Sequence, residues 1–218
     1  MNILCLGDPH LRFCDWDVLI QAKDFAKKHK VDRVVCMGDF SDQKSWSRFM
    51  KDPTDDSPEC EWQQTKDAAK ELNKMFPEMD ILDGNHDRRY IKKAKEAGLV
   101  KDMIRGMDEL FPYKGWKFRL EPTPLVYDNI AFVHGDELQG SVKAKAMALG
   151  MSVVQGHSHK AELHYICTFR KQIFAMDCGC TADPKAAAFD YAARALTKVW
   201  VGFAFIASGV PYLIPKKQ

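Results

Sequence analysis

Residues 79–89 read Met79-Asp80-Ile81-Leu82-Asp83-Gly84-Asn85-His86-Asp87-Arg88-Arg89, a short apolar run that stops at glycine and then delivers an amide, an imidazole and a carboxylate in succession. An apolar run bounded by turn residues reads as a buried strand, here Met79 to Gly84. The Gly84-Asn85 turn then leads into a helix, with Asp87 in the first turn where the helix dipole favours negative charge. The same plan recurs on both sides. Asn2 to Gly7 runs into Asp8-Pro9-His10, and Arg33 to Gly38 runs into Asp39. Asn129 to His134 is followed by Gly135-Asp136, and Ser152 to Gly156 by His157-Ser158-His159. Five of the seven histidines stand in or beside this punctuation.

Between the strands lie helical patterns. Asp15 to Lys30 places Trp16, Leu19, Ile20 and Phe25 on one face, and Glu61 to Phe76 does so with Trp62, Thr65, Ala69, Leu72 and Phe76. Alternating strand and helix implies crossover connections and a largely parallel sheet, whose ligands gather where the carboxyl ends of strands meet the loops. After Gly156 the runs shorten to Ala161–Cys167, Lys171–Met176, Lys198–Ala207 and Val210–Ile214, which predicts a second, more antiparallel sheet. The segment 51–60, proline-containing, acidic and without apolar periodicity, reads as a surface loop.

With 218 residues and 46% hydrophobic composition, the chain suits one domain spanning 1–218. A net charge of +2 points to neither a nucleic-acid nor a membrane binder as a whole. Strand-like sequence begins at Asn2 without a secretory leader, so the expected compartment is the cytoplasm. The most apolar run, Val199 to Val210, falls short of the roughly 20 residues a bilayer requires, and no membrane partner is expected. Seven cysteines without a CxxC pattern read as reduced thiols. Cys5 and Cys36 read as small buried hydrophobes, and Cys178 and Cys180 are placed outside the site.

The chemistry lies at the strand ends. Asp8 and His10 are two apart in extended chain and point the same way, as do His157 and His159. Asp39 ends a wholly apolar strand and can use both carboxylate oxygens, which makes it the candidate bridge between cations about 3.5–4 Å apart. Asn85 offers an amide oxygen acceptable to Mg, Mn or Fe, while His86 beside it need not bind metal. His134, His157 and His159, each at a strand end and beside glycine, call for a shared ligand. His29 and His164 lack this context.

In order, Asp8-Pro9-His10, Gly38-Asp39, Gly84-Asn85-His86-Asp87, His134-Gly135 and Gly156-His157-Ser158-His159 resemble the calcineurin-like metallophosphoesterase superfamily over residues 8–159. The resemblance implies an α/β fold, a four-layer α-β-β-α sandwich of two mixed sheets flanked by helices. Residues 160–218, which carry no motif of the family, would complete the second sheet. It implies two divalent metal ions, one on Asp8, His10, Asp39 and His159, the other on Asp39, Asn85, His134 and His157. Mn is the first choice, with Fe, Mg or Zn as alternatives. It implies in-line attack of a metal-activated hydroxide on phosphorus, with His86 protonating the leaving oxygen and Asp87 orienting its ring.

Arg12, Arg88, Arg89 and Lys160 form a candidate substrate rim, with Lys143 and Lys145 nearby. The expected function is therefore metal-dependent hydrolysis of phosphate esters, phosphodiesterase- or nuclease-like, on a nucleotide or nucleic-acid ester. The alternative is a phosphomonoesterase acting on phosphoproteins. The alternative from another class is a non-catalytic protein-binding scaffold, a role that relatives adopt after losing catalytic residues; here every ligand position and His86 are present.

Overall fold

The structure, a computed structural model, describes residues 1–48, 56–120, 123–186 and 199–217. In chain order the elements are β1 (Asn2–Leu6), α1 (Trp16–Lys28), β2 (Arg33–Cys36), α2 (Pro58–Met75), β3 (Met79–Leu82), α3 (Arg89–Glu96), α4 (Met107–Leu110) and β4 (Trp116–Arg119). There follow β5 (Leu125–Tyr127), β6 (Ile130–Val133), α5 (Val142–Leu149), β7 (Ser152–Gln155), β8 (Ala161–Cys167), β9 (Gln172–Cys178), β10 (Gly202–Ala207) and β11 (Val210–Pro215). They build two mixed sheets, β11-β10-β1-β2-β3-β4 and β5-β6-β7-β9-β8.

Strand periodicity makes the layers. Ile3 and Cys5 of β1, Val35 of β2 and Leu82 of β3 face Ile130 and Phe132 of β6, Val154 of β7 and Met176 of β9 in a core between the sheets. Their neighbours Leu4, Leu6, Cys36 and Ile81 turn the other way, onto Leu19 and Ala22 of α1 and Ala69 and Leu72 of α2. Ala131, Val133, Val153 and Ala175 likewise pack on Val142 and Ala146 of α5. The central strands β3, β6 and β7 are buried on both faces, which explains why their runs are largely apolar rather than alternating. The order helix, sheet, sheet, helix is the expected α/β sandwich.

Helix starts are set by capping. Asp15 Oδ1 accepts from Val18 N–H at 3.2 Å at the start of α1, and Ser141 Oγ from Ala144 N–H at 3.3 Å at the start of α5. Ser57 Oγ accepts from Cys60 N–H with Pro58 at the first helical position, so α2 begins three residues before the periodicity suggested. The expected loop at 51–60 therefore ends at Ser57, and residues 51–55 lie outside the described residues.

Two expectations about the last third of the chain are corrected. The second sheet is parallel at its centre, through β6, β7 and β9, and antiparallel only at its edges. The hairpin β10-β11 joins the first sheet instead of completing the second, with Asn2 to Cys5 paired antiparallel to Ala207 to Ala204. The reason is in β10 itself: Phe203 packs on the helix side and Ala204 and Ile206 between the sheets, so the strand needs cover on both faces. At that position it also closes the edge of β1 that would otherwise be open.

Candidate metal centre

Carboxyl ends from both sheets meet at one place. Asp8, Asp39 and Asn85 follow β1, β2 and β3 of the first sheet, while His134 and His157 follow β6 and β7 of the second. The turns that carry these residues are strained. Asp8, His10, Asp39, His157 and His159 have φ of 33°, 42°, 44°, 67° and 56°, in the left-handed region that costs non-glycine residues of order 1 kcal/mol each. Strain repeated at five chemically capable side chains marks a constellation held by its surroundings. Two glycines permit the approach: a β-carbon on Gly84 would overlap the backbone of Asp39, and one on Gly156 would press on Asp8 Oδ1.

The donor atoms form two groups that share Asp39. His10, Asp39 and His159 make one, and Asp39, His134 and His157 the other, with ligand atoms within 4.8 Å of one another in each. Asp39 Oδ1 lies 3.3 Å from His134 Nε2, and its Oδ2 lies 3.9 Å from His10 Nε2. Asp8 Oδ2 lies 3.4 Å from His159 Nε2, and Asn85 Oδ1 lies 3.0 Å from His134 Nε2. All seven candidate ligands named from the sequence therefore come together.

Orientation is supplied from behind. His134 Nδ1 donates to the Met37 carbonyl at 2.9 Å, which fixes the ring with Nε2 turned toward Asp39 and Asn85. His157 N–H donates to Asp8 Oδ2 at 2.6 Å, and His86 N–H to Asp39 Oδ1 at 2.8 Å. Asp8 Oδ1, fully buried, accepts no hydrogen bond among the described residues. A buried carboxylate oxygen without a donor, among imidazoles and a second carboxylate, fits a divalent cation.

Electrostatics point the same way. Burial pushes the Asp8 carboxyl well up against the opposing charge of His134, and the neighbouring Asp39 adds to the rise. Burial also opposes ionisation of Asp39, but His134 and His86 outweigh it and hold the group well below the usual carboxylate range. Burial and then His134 lower His157, and burial and then His10 bring His159 down to about 3. Both are thus kept as neutral imidazoles, the form that ligates metal.

The orienting partner of His86 is Asp42, not Asp87. His86 Nδ1 lies 2.9 Å from the Asp42 carbonyl and 3.1 Å from Asp42 Oδ1, which also sits 3.2 Å from His10 Nδ1. Burial lowers the His86 pKa, but Asp39 and Asp42 together turn the shift upward. The Asp87 carboxylate faces the other way and accepts from Phe40 N–H, Ser41 N–H, Ser41 Oγ–H and Gly84 N–H at 2.8–3.1 Å. It ties the Asp39 loop to the Asn85 loop. Asp87→Ala leaves these donors without their acceptor, and is expected to cost at least about 3 kcal/mol of stability, read as a fall in Tm. A lower kcat with unchanged Tm would instead restore the orienting role. Asp42 had a signal in the sequence, a second carboxylate three residues after Asp39.

The rim is only partly as expected. Arg12 is drawn away by Asp56 at 2.7 Å and Glu61 at 3.6 Å, and stacks on Phe13, because the start of α2 and the residues leading into it bring those acids beside it. Arg88 pairs with Asp83 at 3.0 Å and with Asp136. Arg89 alone reaches the centre, with Nη2 2.8 Å from His86 Nε2 and Nη1 donating to the Asp42 carbonyl at 2.9 Å. Lys160 is exposed, and Lys145 is buried, donating to Gln155 Oε1 at 2.8 Å and to the Gly135 carbonyl. His29 stacks on Phe25 and His164 faces Glu162, both outside the centre. All seven cysteines are free. Among the described residues no helix is long and apolar enough to cross a membrane.

The family profile of the calcineurin-like phosphoesterases matches residues 1–144. No curated protein matches the chain. Among solved structures, vacuolar protein sorting 29 from Cryptosporidium parvum is 16% identical with a TM-score of 0.50, over 95% of this chain and 85% of that one. YfcE, a phosphoesterase from E. coli, is 11% identical with a TM-score of 0.46, over 100% and 94%. The nuclease MPE from Pseudomonas putida is 15% identical with a TM-score of 0.43, over 96% and 87%. At these identities the likeness concerns the fold alone.

Proposed function

This chain belongs to the calcineurin-like phosphoesterase family, and from that premise we propose that residues 1–218 act as one two-metal hydrolase domain, cleaving phosphodiesters of nucleotides or nucleic acid. The observation that carries the reading is the sharing of Asp39 between the His10–His159 and His134–His157 groups, which suits a bridging carboxylate. Asp8, His10, Asp39 and His159 would hold one cation, and Asp39, Asn85, His134 and His157 the other. Bound there, divalent cations would supply Lewis acidity and bring the pKa of a water toward neutrality. Mn is the metal of choice for assay, since a mixed carboxylate, amide and imidazole set suits it.

The chain's own contribution centres on His86. Its Nδ1 is engaged by Asp42, so Nε2 is the atom left to give a proton to the leaving oxygen. Arg89 Nη2 already stands 2.8 Å from that nitrogen. Two donors cannot point at each other once His86 is protonated, whereas a phosphate oxygen accepting from both satisfies each. Arg89 is accordingly a substrate-binding residue in this reading, and Arg12 is not.

Bis-p-nitrophenyl phosphate and p-nitrophenyl phosphate, assayed side by side with added Mn, test the proposal. Turnover of the diester, abolished by a chelator and restored by Mn, is the expected result. Turnover of the monoester alone would replace it with a phosphatase, and no turnover with metal shown bound would remove the hydrolase reading.

A further inference from the structure

The segment 88–105 holds seven Lys and Arg residues against Glu96 and Asp102, a net +5 in a chain whose total is only +2. The remainder of the protein is therefore net acidic, and this segment carries a marked local excess of positive charge. It lies at the mouth of the candidate centre, because it starts at Arg88 and Arg89, the latter reaching His86. Arg88, Lys92 and Lys95 follow one another at i, i+4 and i+7 and so share a stripe along α3. The Tyr90 hydroxyl donates to the Arg105 carbonyl at 2.6 Å, and Leu99 N–H to the Ala94 carbonyl at 3.0 Å. These bonds fold the far end of the segment back on its start, so Lys101 and Arg105 belong to the same body.

The helix does little for the core. None of the eight residues of α3 is buried, and Lys92, Lys95, Lys101 and Arg105 are exposed. An isolated helix this short is marginal, and like charges at i, i+3 and i+4 weaken it further. Lys93 is relieved by Glu96 at 2.8 Å and Arg88 by Asp83 and Asp136, whereas Lys92 and Lys95 make no salt bridge among the described residues. A polyanion lying on the stripe removes that repulsion.

We infer that the basic face of α3 and the turn to Arg105 is the track for the phosphate backbone of a nucleic-acid strand, leading it into the centre beside His86. The length suits this occupant: Arg88 to Lys95 spans about 10 Å of helix, so its cations can meet more than one phosphate of an extended strand. The other occupant that charge alone would allow is an anionic lipid surface, using exposed Leu99, Val100 and Met103 beyond the helix. It is disfavoured because the segment begins at Arg89, whose guanidinium stands 2.8 Å from His86 Nε2 in the candidate centre. Cleavage of the strand rests on the hydrolase reading above; binding to the track does not.

The test is fluorescence anisotropy of a labelled single-stranded 20-mer on the full chain in the presence of a chelator, comparing wild type with Lys92→Ser/Lys95→Ser/Lys101→Ser. The variant is expected to weaken Kd at least about tenfold at low salt and to flatten the slope of log K against log salt by about 2, roughly 0.7 for each phosphate no longer neutralised. These positions are exposed, so an unchanged Tm is the folding control. In a parallel assay with Mn, the ratio of kcat/KM for the oligonucleotide to that for bis-p-nitrophenyl phosphate is expected to fall by a similar factor. Equal Kd and slope in the two proteins would overturn the track, as would lysine-dependent binding to phosphatidylserine vesicles without binding to the oligonucleotide. Lysine-dependent binding of the strand without hydrolysis would support the track while removing the hydrolase reading.

Discussion

Asp39→Asn is expected to lower bound metal from two ions per chain to less than one, and kcat/KM on a diester by at least about a thousandfold, some 4 kcal/mol of transition-state stabilisation. Asp39 is the residue common to the His10–His159 and His134–His157 groups. Its two oxygens face different partners, Oδ1 toward His134 Nε2 at 3.3 Å and Oδ2 toward His10 Nε2 at 3.9 Å. An amide there keeps the shape but removes the negative charge, and it aims N–H at an imidazole or a cation. Asp8→Asn is the comparison, because Asp8 approaches His159 but is shared less evenly. It is expected to weaken one ion and leave the other. Metal content after dialysis, measured by mass spectrometry alongside turnover, distinguishes the two. Two ions retained with full activity in Asp39→Asn would remove it as the bridge.

Asp39 is legible in the sequence because what marks it is encoded locally. Val34-Val35-Cys36-Met37 can be accommodated only in a strand buried on both faces, and a carboxylate directly after such a strand stands at its carboxyl end, where open sheets bind ligands. The same reasoning located Asp8, Asn85, His134 and His157. It failed where the outcome depends on which segments become neighbours. The apolar run of β10 was visible, but its pairing with β1, some 200 residues away, is decided by the free edge of that strand. Arg12 reads as a rim cation in the sequence, but the fold places Asp56 and Glu61, at and just before the start of α2, beside it. The family resemblance implied Asp87 as the partner of His86. In a turn, adjacent side chains diverge, and Asp42 from the neighbouring loop reaches the ring instead. The left-handed φ values at Asp8, His10, Asp39, His157 and His159 carry no composition signal, since these residues are not the glycines such backbone favours.

His86→Ala separates an enzyme from a scaffold built on the same centre. In the hydrolase reading the imidazole gives a proton to the leaving oxygen, so its loss should lower kcat by about 10²–10⁴ while metal content and Tm hold. The size of the fall should depend on the leaving group. A p-nitrophenolate departs without help, so bis-p-nitrophenyl phosphate should be affected least, and an oligonucleotide, whose leaving oxygen must be protonated, most. A residue acting only through packing would slow both alike. Asp42→Asn should repeat the pattern more weakly, because Nδ1 keeps the Asp42 carbonyl at 2.9 Å after the carboxylate at 3.1 Å is neutralised. A scaffold predicts something different: His86 is only half-buried at the mouth of the site and stands outside the apolar core, so removing it should leave both partner binding and cellular function intact. Equal losses on the two substrates would shift His86 from proton donor to a merely supporting role. The graded loss is the outcome that a centre shaped for binding alone cannot produce.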